Sequence, residues 1–261
     1  MARRGAILIA PGLVLANLLN AQSVLRGGGR RDDYLRVHDL PHFLGRYQTA
    51  LGERLERAGL ERMVSTGTLR EKGTDKPSVL AWELPGKFRF EKDGKAIVGA
   101  LAGLAAPTSP GVSNEDEDDI IESLFLDRPE SALYNVVNGA AVRVIGYQVG
   151  TQRGRVAGYA GPYYDVFDIT GKADAKAAST ARSKRYFFDS MSGLLQRVTY
   201  VLAKPTGAQT VDTYFSQWTK VQNDFVPGVI ERTVDRISVS RFVAATTTLT
   251  AKAADGKLDR A

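Results

Sequence analysis

Residues Val79–Lys95 read VLAWELPGKFRFEKDGK, and this stretch decides the fold class. In an extended chain Leu80, Trp82 and Leu84 fall on one face while Val79, Ala81 and Glu83 fall on the other, because strand side chains alternate. After Pro85-Gly86, Phe88 and Phe90 alternate in the same way with Lys87, Arg89 and Glu91. Asp93-Gly94 follows at a strong hairpin position, since a two-residue turn needs residues that accept positive φ. The pattern predicts short antiparallel strands joined by tight turns.

The period of two extends outward from there. Upstream it covers VSTGTLRE (64–71), joined through KGTDKP, and downstream KAIVGAL. It resumes later in VRVIGYQV, YYDVFDIT, KRYFFDS, GLLQRVTYVL, QTVDTYFSQW, VPGVIERTV and RISVSRFVA. About ten strands with mostly short links make a largely antiparallel, mainly β fold of the α+β type. Helices interrupt it. Leu40, Leu44, Tyr47, Leu51, Leu55 and Ala58 recur at helical spacing and predict an amphipathic helix after Pro41. Glu115 to Asp119 followed by IIESLFL predicts a second, with the carboxylates on a first turn capped by Ser113 or Asn114. The alternative for that acidic run, a calcium loop, lacks the alternating oxygen spacing such a loop needs. PESALYNVVNG predicts a third helix, entered at Pro129 and left at Gly139. Lys172–Ser183 reads as an exposed loop.

No composition break divides the chain, so one domain is expected over residues 41–250, with a disordered tail at 251–261. The start has a different character. Arg3 and Arg4 precede an apolar run from Gly5 to Leu19, and Ala21 and Ser23 permit cleavage after residue 23. This predicts a signal peptide at 1–23, a flexible glycine-rich lead at 24–40, and a periplasmic or secreted protein. A retained anchor or buried helix is the alternative for the apolar run.

The 261 residues include 35 Lys plus Arg, 29 Asp plus Glu, two His and no Cys. Without cysteine there is no disulfide scaffold, thiolate chemistry or Cys-ligated zinc. Loss of residues 1–23 leaves 33 basic against 29 acidic side chains, with several arginines in the lead segment. That balance lacks the concentrated basic face of a nucleic-acid binder, so no nucleic-acid partner is expected. His38 and His42 flank Pro41, which interrupts the helical spacing a metal pair needs. GRVAGYAG (154–161) has neither the context nor the Lys-Ser/Thr of a phosphate loop. Asp165 and Asp168 lie on opposite faces of one strand and cannot act together as a glycosidase pair. Asp189 suits a turn. No catalytic residue, metal site or cofactor is assigned, and the chain reads as a non-enzyme.

Aromatic and aliphatic weight on one sheet face stands out instead. Trp82, Phe88, Phe90, Phe187, Tyr200, Phe215 and Ile230 are the candidate lining of a ligand cavity, with Val198 and Val211 beside them. Leu44, Tyr47, Leu51 and Leu55 are the candidate lid, with Ile120–Leu126 controlling the opening alongside it. One reading is a core simply covered by helices. The other is a concave sheet holding a lipid or acyl chain, with each buried methylene contributing about 0.8 kcal/mol.

Four segments resemble the LolA-like superfamily of bacterial envelope lipoprotein carriers. They are YQTALGERLERAGLERMVSTGTL (47–69), WELPGKFRFEKDGK (82–95), YFFDSMSGLLQRVTY (186–200) and TYFSQWTKVQNDFVPGVIE (213–231), in that order. The resemblance spans about Pro41 to Phe242. It implies an unclosed, strongly curved antiparallel half-barrel with helices on its concave face. It also implies shielding of a hydrophobic group in the periplasm, without a cofactor, in lipoprotein or lipid trafficking. Related half-barrels imply a second possibility, an envelope-stress sensor or interaction module with a filled core and a membrane-associated protein partner.

Overall fold

Local turn chemistry builds the sheet. Lys72 and Gly73, with φ of 48° and 80°, close β1 (Glu61–Glu71) onto β2 (Thr74–Glu83). Asp93 and Gly94, at 54° and 73°, close β3 (Lys87–Lys92) onto β4 (Lys95–Ala100). Positive φ at both central residues matches the right-handed twist of paired strands. The first connection is thus two residues long, where the sequence suggested KGTDKP. Thr74–Pro77 continue the strand, and Pro77 lies opposite Thr68.

The computed structural model describes residues 47, 61–83, 87–100, 115–137, 140–149, 163–170, 183–204 and 207–251. The expected signal segment, lead, His38, His42, Leu44, Leu51 and Leu55 lie outside the described residues. So do the stretch 154–161, nearly all of the 172–183 loop, and the tail after 251. Tyr47 is described, and it is helical.

Seven further strands follow the helices: β5 (Ala141–Val149), β6 (Tyr163–Thr170), β7 (Ser183–Asp189), β8 (Leu195–Lys204), β9 (Gly207–Val221), β10 (Asp224–Val234) and β11 (Ile237–Ala251). The eleven strands of the described residues form one antiparallel sheet in the order β4-β3-β2-β1-β11-β10-β9-β8-β7-β6-β5. The last strand pairs with the first described one, and β4 and β5 are left as the two edges. The sheet is therefore unclosed. The chain between β4 and β5 has to travel from one edge to the other, about 48 Å at the usual strand spacing. The helical segment lies on that path, and its apolar side chains join the core of the concave face.

Register shifts bend the sheet where β1 meets β11, β10 meets β11, β5 meets β6 and β7 meets β8. Each bulge adds local twist. At the first of these Gly67 is obligatory in a steric sense, because a Cβ there would collide with the Val243 carbonyl oxygen.

The helical connection comprises α1 (Glu115–Ile121), a π-helical turn (Glu122–Leu126) and α2 (Pro129–Val137). The acidic run opens α1 and Pro129 opens α2, as the sequence predicts. IIESLFL, however, does not continue as α-helix. From Glu122 the ladder widens, and the Asp127 amide donates to the Glu122 carbonyl at 3.0 Å.

Candidate functional site

The concave face is the candidate site, and its residues come from alternate positions on adjacent strands. Trp82, Phe88, Phe90, Tyr200, Phe215 and Ile230 all point to it, and each is 3% exposed or less. They join one continuous core with Phe125, Leu124, Leu133 and Phe242. Phe125 packs its ring 5.0 Å from Phe88. Arg128, just after the π-turn, sits 5.1 Å over the Trp82 ring, and its Nη2 lies 3.5 Å from Met63 Sδ. The helical segment thus covers the face directly.

Phe187 is elsewhere. Tyr186 and Phe188 belong to the core, which places Phe187 between them on the outer face of β7. It is buried there because the Arg197 guanidinium stacks on its ring at 3.8 Å. Three consecutive aromatics conceal the strand parity in the sequence, and burial by a cation–π cover resembles core burial in composition. Asp165 and Asp168 do lie on opposite faces. Asp168 is held outside by Arg185 and Arg143, whereas Asp165 faces inward.

Of the candidate lid, Tyr47 is the described member. Its hydroxyl donates to Asp165 Oδ2 at 2.9 Å, and its ring lies 4.1 Å from that of Phe188. Tyr47 is therefore seated at the β6–β7 end of the concave face by a buried hydrogen bond and by ring contacts with Phe188 and, at 6.3 Å, Phe167.

Between these apolar regions lies a charged cluster that the sequence reading did not foresee. Lys184 Nζ is 2.6 Å from Asp127 Oδ1 and 2.8 Å from Glu122 Oε1. Thr213 donates to Asp127 Oδ2 at 2.6 Å, and Lys184 lies 4.5 Å over the Tyr200 ring. Arg232 donates to the Tyr200 hydroxyl and to the Asp119 carbonyl, both at 2.9 Å. The π-turn explains how two carboxylates reach one lysine. Five residues along an α-helix turn the side chain about 140° away, whereas the wider i→i+5 turn brings position i+5 back over position i.

Burial works against the charge of Lys184, but Asp127 and Glu122 outweigh it and hold the ammonium well above the ordinary lysine value. Burial pushes the Asp127 carboxyl up; Lys184 opposes this, and Glu122 adds to it. Burial likewise raises the Tyr186 phenol, whose oxygen has no hydrogen-bond partner. Lys184, Asp127 and Glu122 are all buried where the helical segment meets the sheet. The cluster fixes the segment 115–137 to β7 and β9. A movable lid over Ile120–Leu126 is not what this arrangement provides, since separating a buried ion pair costs several kcal/mol.

Among the described residues no group of three side chains has the composition of a metal site, and no helix is long and apolar enough to cross a membrane.

No family model and no curated protein sequence matches the chain. Solved structures do. A domain described as an outer-membrane lipoprotein-sorting protein from Vibrio parahaemolyticus matches 83% of this chain and 97% of its own, at 10% identity and a TM-score of 0.50. A LolA superfamily protein from Nitrosomonas europaea matches 83% of this chain and 96% of its own, at 9% identity and a TM-score of 0.48. A DUF1329 family protein from Desulfovibrio piger matches 82% and 95%, at 12% identity and a TM-score of 0.46. The fold is LolA-like, an unclosed antiparallel half-barrel with helices on its concave face.

Proposed function

We propose that this chain is an exported, non-enzymatic half-barrel that shields a lipid or acylated partner in lipoprotein or lipid trafficking at the bacterial cell envelope. The observation that carries this reading is the continuous apolar face formed by Trp82, Phe88, Phe90, Tyr200, Phe215 and Ile230 beneath the helices. The fold it shares with a lipoprotein-sorting domain supports the same direction. Because the Lys184 cluster anchors residues 115–137, the opening lies on the side of the first helix. Tyr47 leaves Phe188 and Asp165, and an acyl chain takes its place against the sheet. The basic n-region and apolar run of residues 1–23 support periplasmic export, with the working domain at 41–250.

Native mass spectrometry after mild extraction, together with uptake of a fluorescent fatty acid, tests the proposal. A bound lipid mass or saturable uptake is expected. Neither bound lipid nor uptake by folded protein sinks it.

A second reading has its own support. The six lining residues are buried, with Phe125 against Phe88 and Arg128 over Trp82, as in an interaction module with a filled core that docks a membrane-associated protein. That reading predicts no uptake and retention of a protein partner from membrane extracts.

A further inference from the structure

Four side chains form a square on the concave face where β6 meets β7. Across the two strands Asp165 pairs with Phe188, and Phe167 pairs with Tyr186. Alternation puts all four on one side of the sheet. Tyr47 engages three of them: its hydroxyl donates to Asp165, and its ring lies 4.1 Å from Phe188 and 6.3 Å from Phe167. Tyr186 is the fourth. Its ring stacks 6.5 Å from that of Phe188, Val198 pairs with it from β8, and it is completely buried.

Tyr200, Thr213 and Lys184 on the same face all have hydrogen-bond or ion-pair partners. The Tyr186 hydroxyl and Trp82 Nε1, both buried, have none. A buried donor without an acceptor costs stability, so its retention calls for a reason. The two donors differ in what covers them. Trp82 lies beneath Arg128, within the segment that the Lys184 cluster anchors. Tyr186 adjoins the place that Tyr47 occupies, the part of the face that opens in the acyl-shielding reading.

The charged groups acting on the Tyr186 hydroxyl are Lys184, Asp127 and Glu122, and it bonds to none of them. Two carboxylates against one ammonium do not draw a further anion, so the acceptor that suits this donor is uncharged. A carbonyl oxygen is such an acceptor, and an ester or amide carries one at the head of an acyl chain.

We propose that Tyr186 is the specificity residue of the acyl site, its hydroxyl donating to the ester or amide carbonyl of a chain that takes the place of Tyr47 against Phe188 and Phe167. This rests on the acyl-shielding reading and narrows its ligand, favouring an acyl ester or amide over a bare hydrocarbon or a carboxylate.

Pyrene-labelled probes of equal chain length test it: a methyl ester, an N-methyl amide, an alkane and the fatty acid, each titrated into the full chain and its Tyr186→Phe variant. The ester, the amide or both should bind the variant about tenfold more weakly, and the probe that loses affinity identifies the linkage. The alkane should bind both proteins equally. With an isotope-labelled carbonyl, the infrared stretch of the bound probe should lie lower in the parent than in the variant, a change that a merely structural tyrosine would not produce. In urea the variant should be at least as stable as the parent, since it removes a buried donor that lacks an acceptor. A lower unfolding midpoint means that the hydroxyl is already bonded inside the fold, and overturns the proposal. Ester and amide affinities unmoved by the substitution, or a fall as large for the alkane or the fatty acid, also overturn it while leaving acyl shielding intact. A parent that binds no probe sinks the acyl-shielding reading and this inference together.

Discussion

Lys184 on β7 and Asp127 at the end of the π-turn form an ion pair 2.6 Å long with both side chains completely buried, although 57 residues separate them. This pair decides which part of the helical layer is fixed. A buried charge is tolerated only when it is matched, and Lys184 is matched by Asp127, Glu122 and the Tyr200 ring face together.

Lys184→Met removes that cation and leaves two buried carboxylates facing each other. A loss of about 3–5 kcal/mol is expected in urea unfolding. Adding Glu122→Gln and Asp127→Asn should recover much of it, because the triple variant buries no net charge. A single variant within 1 kcal/mol of the parent, roughly the worth of an ordinary hydrogen bond, would show that the cluster does not anchor the segment.

The pH dependence follows from opposite shifts. Burial raises the Asp168 carboxyl, but hydrogen bonds from Arg185 and Arg143 outweigh it and leave the group below its ordinary value. Its stabilisation is present above the unfolded value near pH 4 and fades as pH falls through the lower folded value. Lys184 is raised, so its stabilisation is full below the unfolded value, about 10.4, and fades only as pH rises through the higher folded value. Asp168→Asn should flatten the acid limb of a stability–pH curve and leave the alkaline limb unchanged. An unaltered acid limb contradicts the assignment.

Tyr47→Phe keeps the ring on Phe188 and removes the hydrogen bond to Asp165 Oδ2. The cost should be about 1–3 kcal/mol, because a buried carboxyl oxygen loses its donor. Limited proteolysis is the readout: cleavage within residues 41–60 should accelerate while the strands stay protected. Equal cleavage rates in both proteins would mean that Tyr47 does not hold the first helix down.

Phe125→Ala opens a void against Phe88, and a loss of about 3–5 kcal/mol is expected. In the acyl-shielding reading the same void should raise the amount of fluorescent fatty acid bound per folded molecule. Lower stability with unchanged uptake places the acyl site away from Phe125.

Gly67→Ala meets the backbone of β11 at the Val243 carbonyl, where neither strand can give way without losing register. A fall of at least about 1–3 kcal/mol is expected. A fully stable variant would require a shifted β1–β11 pairing, visible as altered amide exchange along both strands.

Much of this fold was legible locally. YYDVFDIT (163–170) has the bounds of β6, Asp93-Gly94 is the turn expected, and Asp189 caps its turn by accepting the amides of Met191 and Ser192. Six of the seven lining candidates share the concave core, since period-two alternation fixes a face once one member is placed. Phe187 was misplaced because Tyr186-Phe187-Phe188 offers apolar residues to both faces. A signal for the charged cluster existed in the same strand: Lys184 has the parity of Tyr186 and Phe188, so a lysine was due in the core. Nothing nearby in the chain indicated its partners, because Asp127 and Glu122 reach it through a π-turn that α-helical spacing does not anticipate.

The sequence by itself indicated most of the strands, their antiparallel character and the Asp93-Gly94 turn, because alternation and turn geometry depend on neighbours a few residues apart. It also determined what the chain lacks, cysteine above all. The tertiary structure alone decided which face Phe187 occupies and which helical segment is locked. Those outcomes depend on pairing between distant strands and on how buried charge is matched, and only the folded chain brings such groups within a few ångströms of one another.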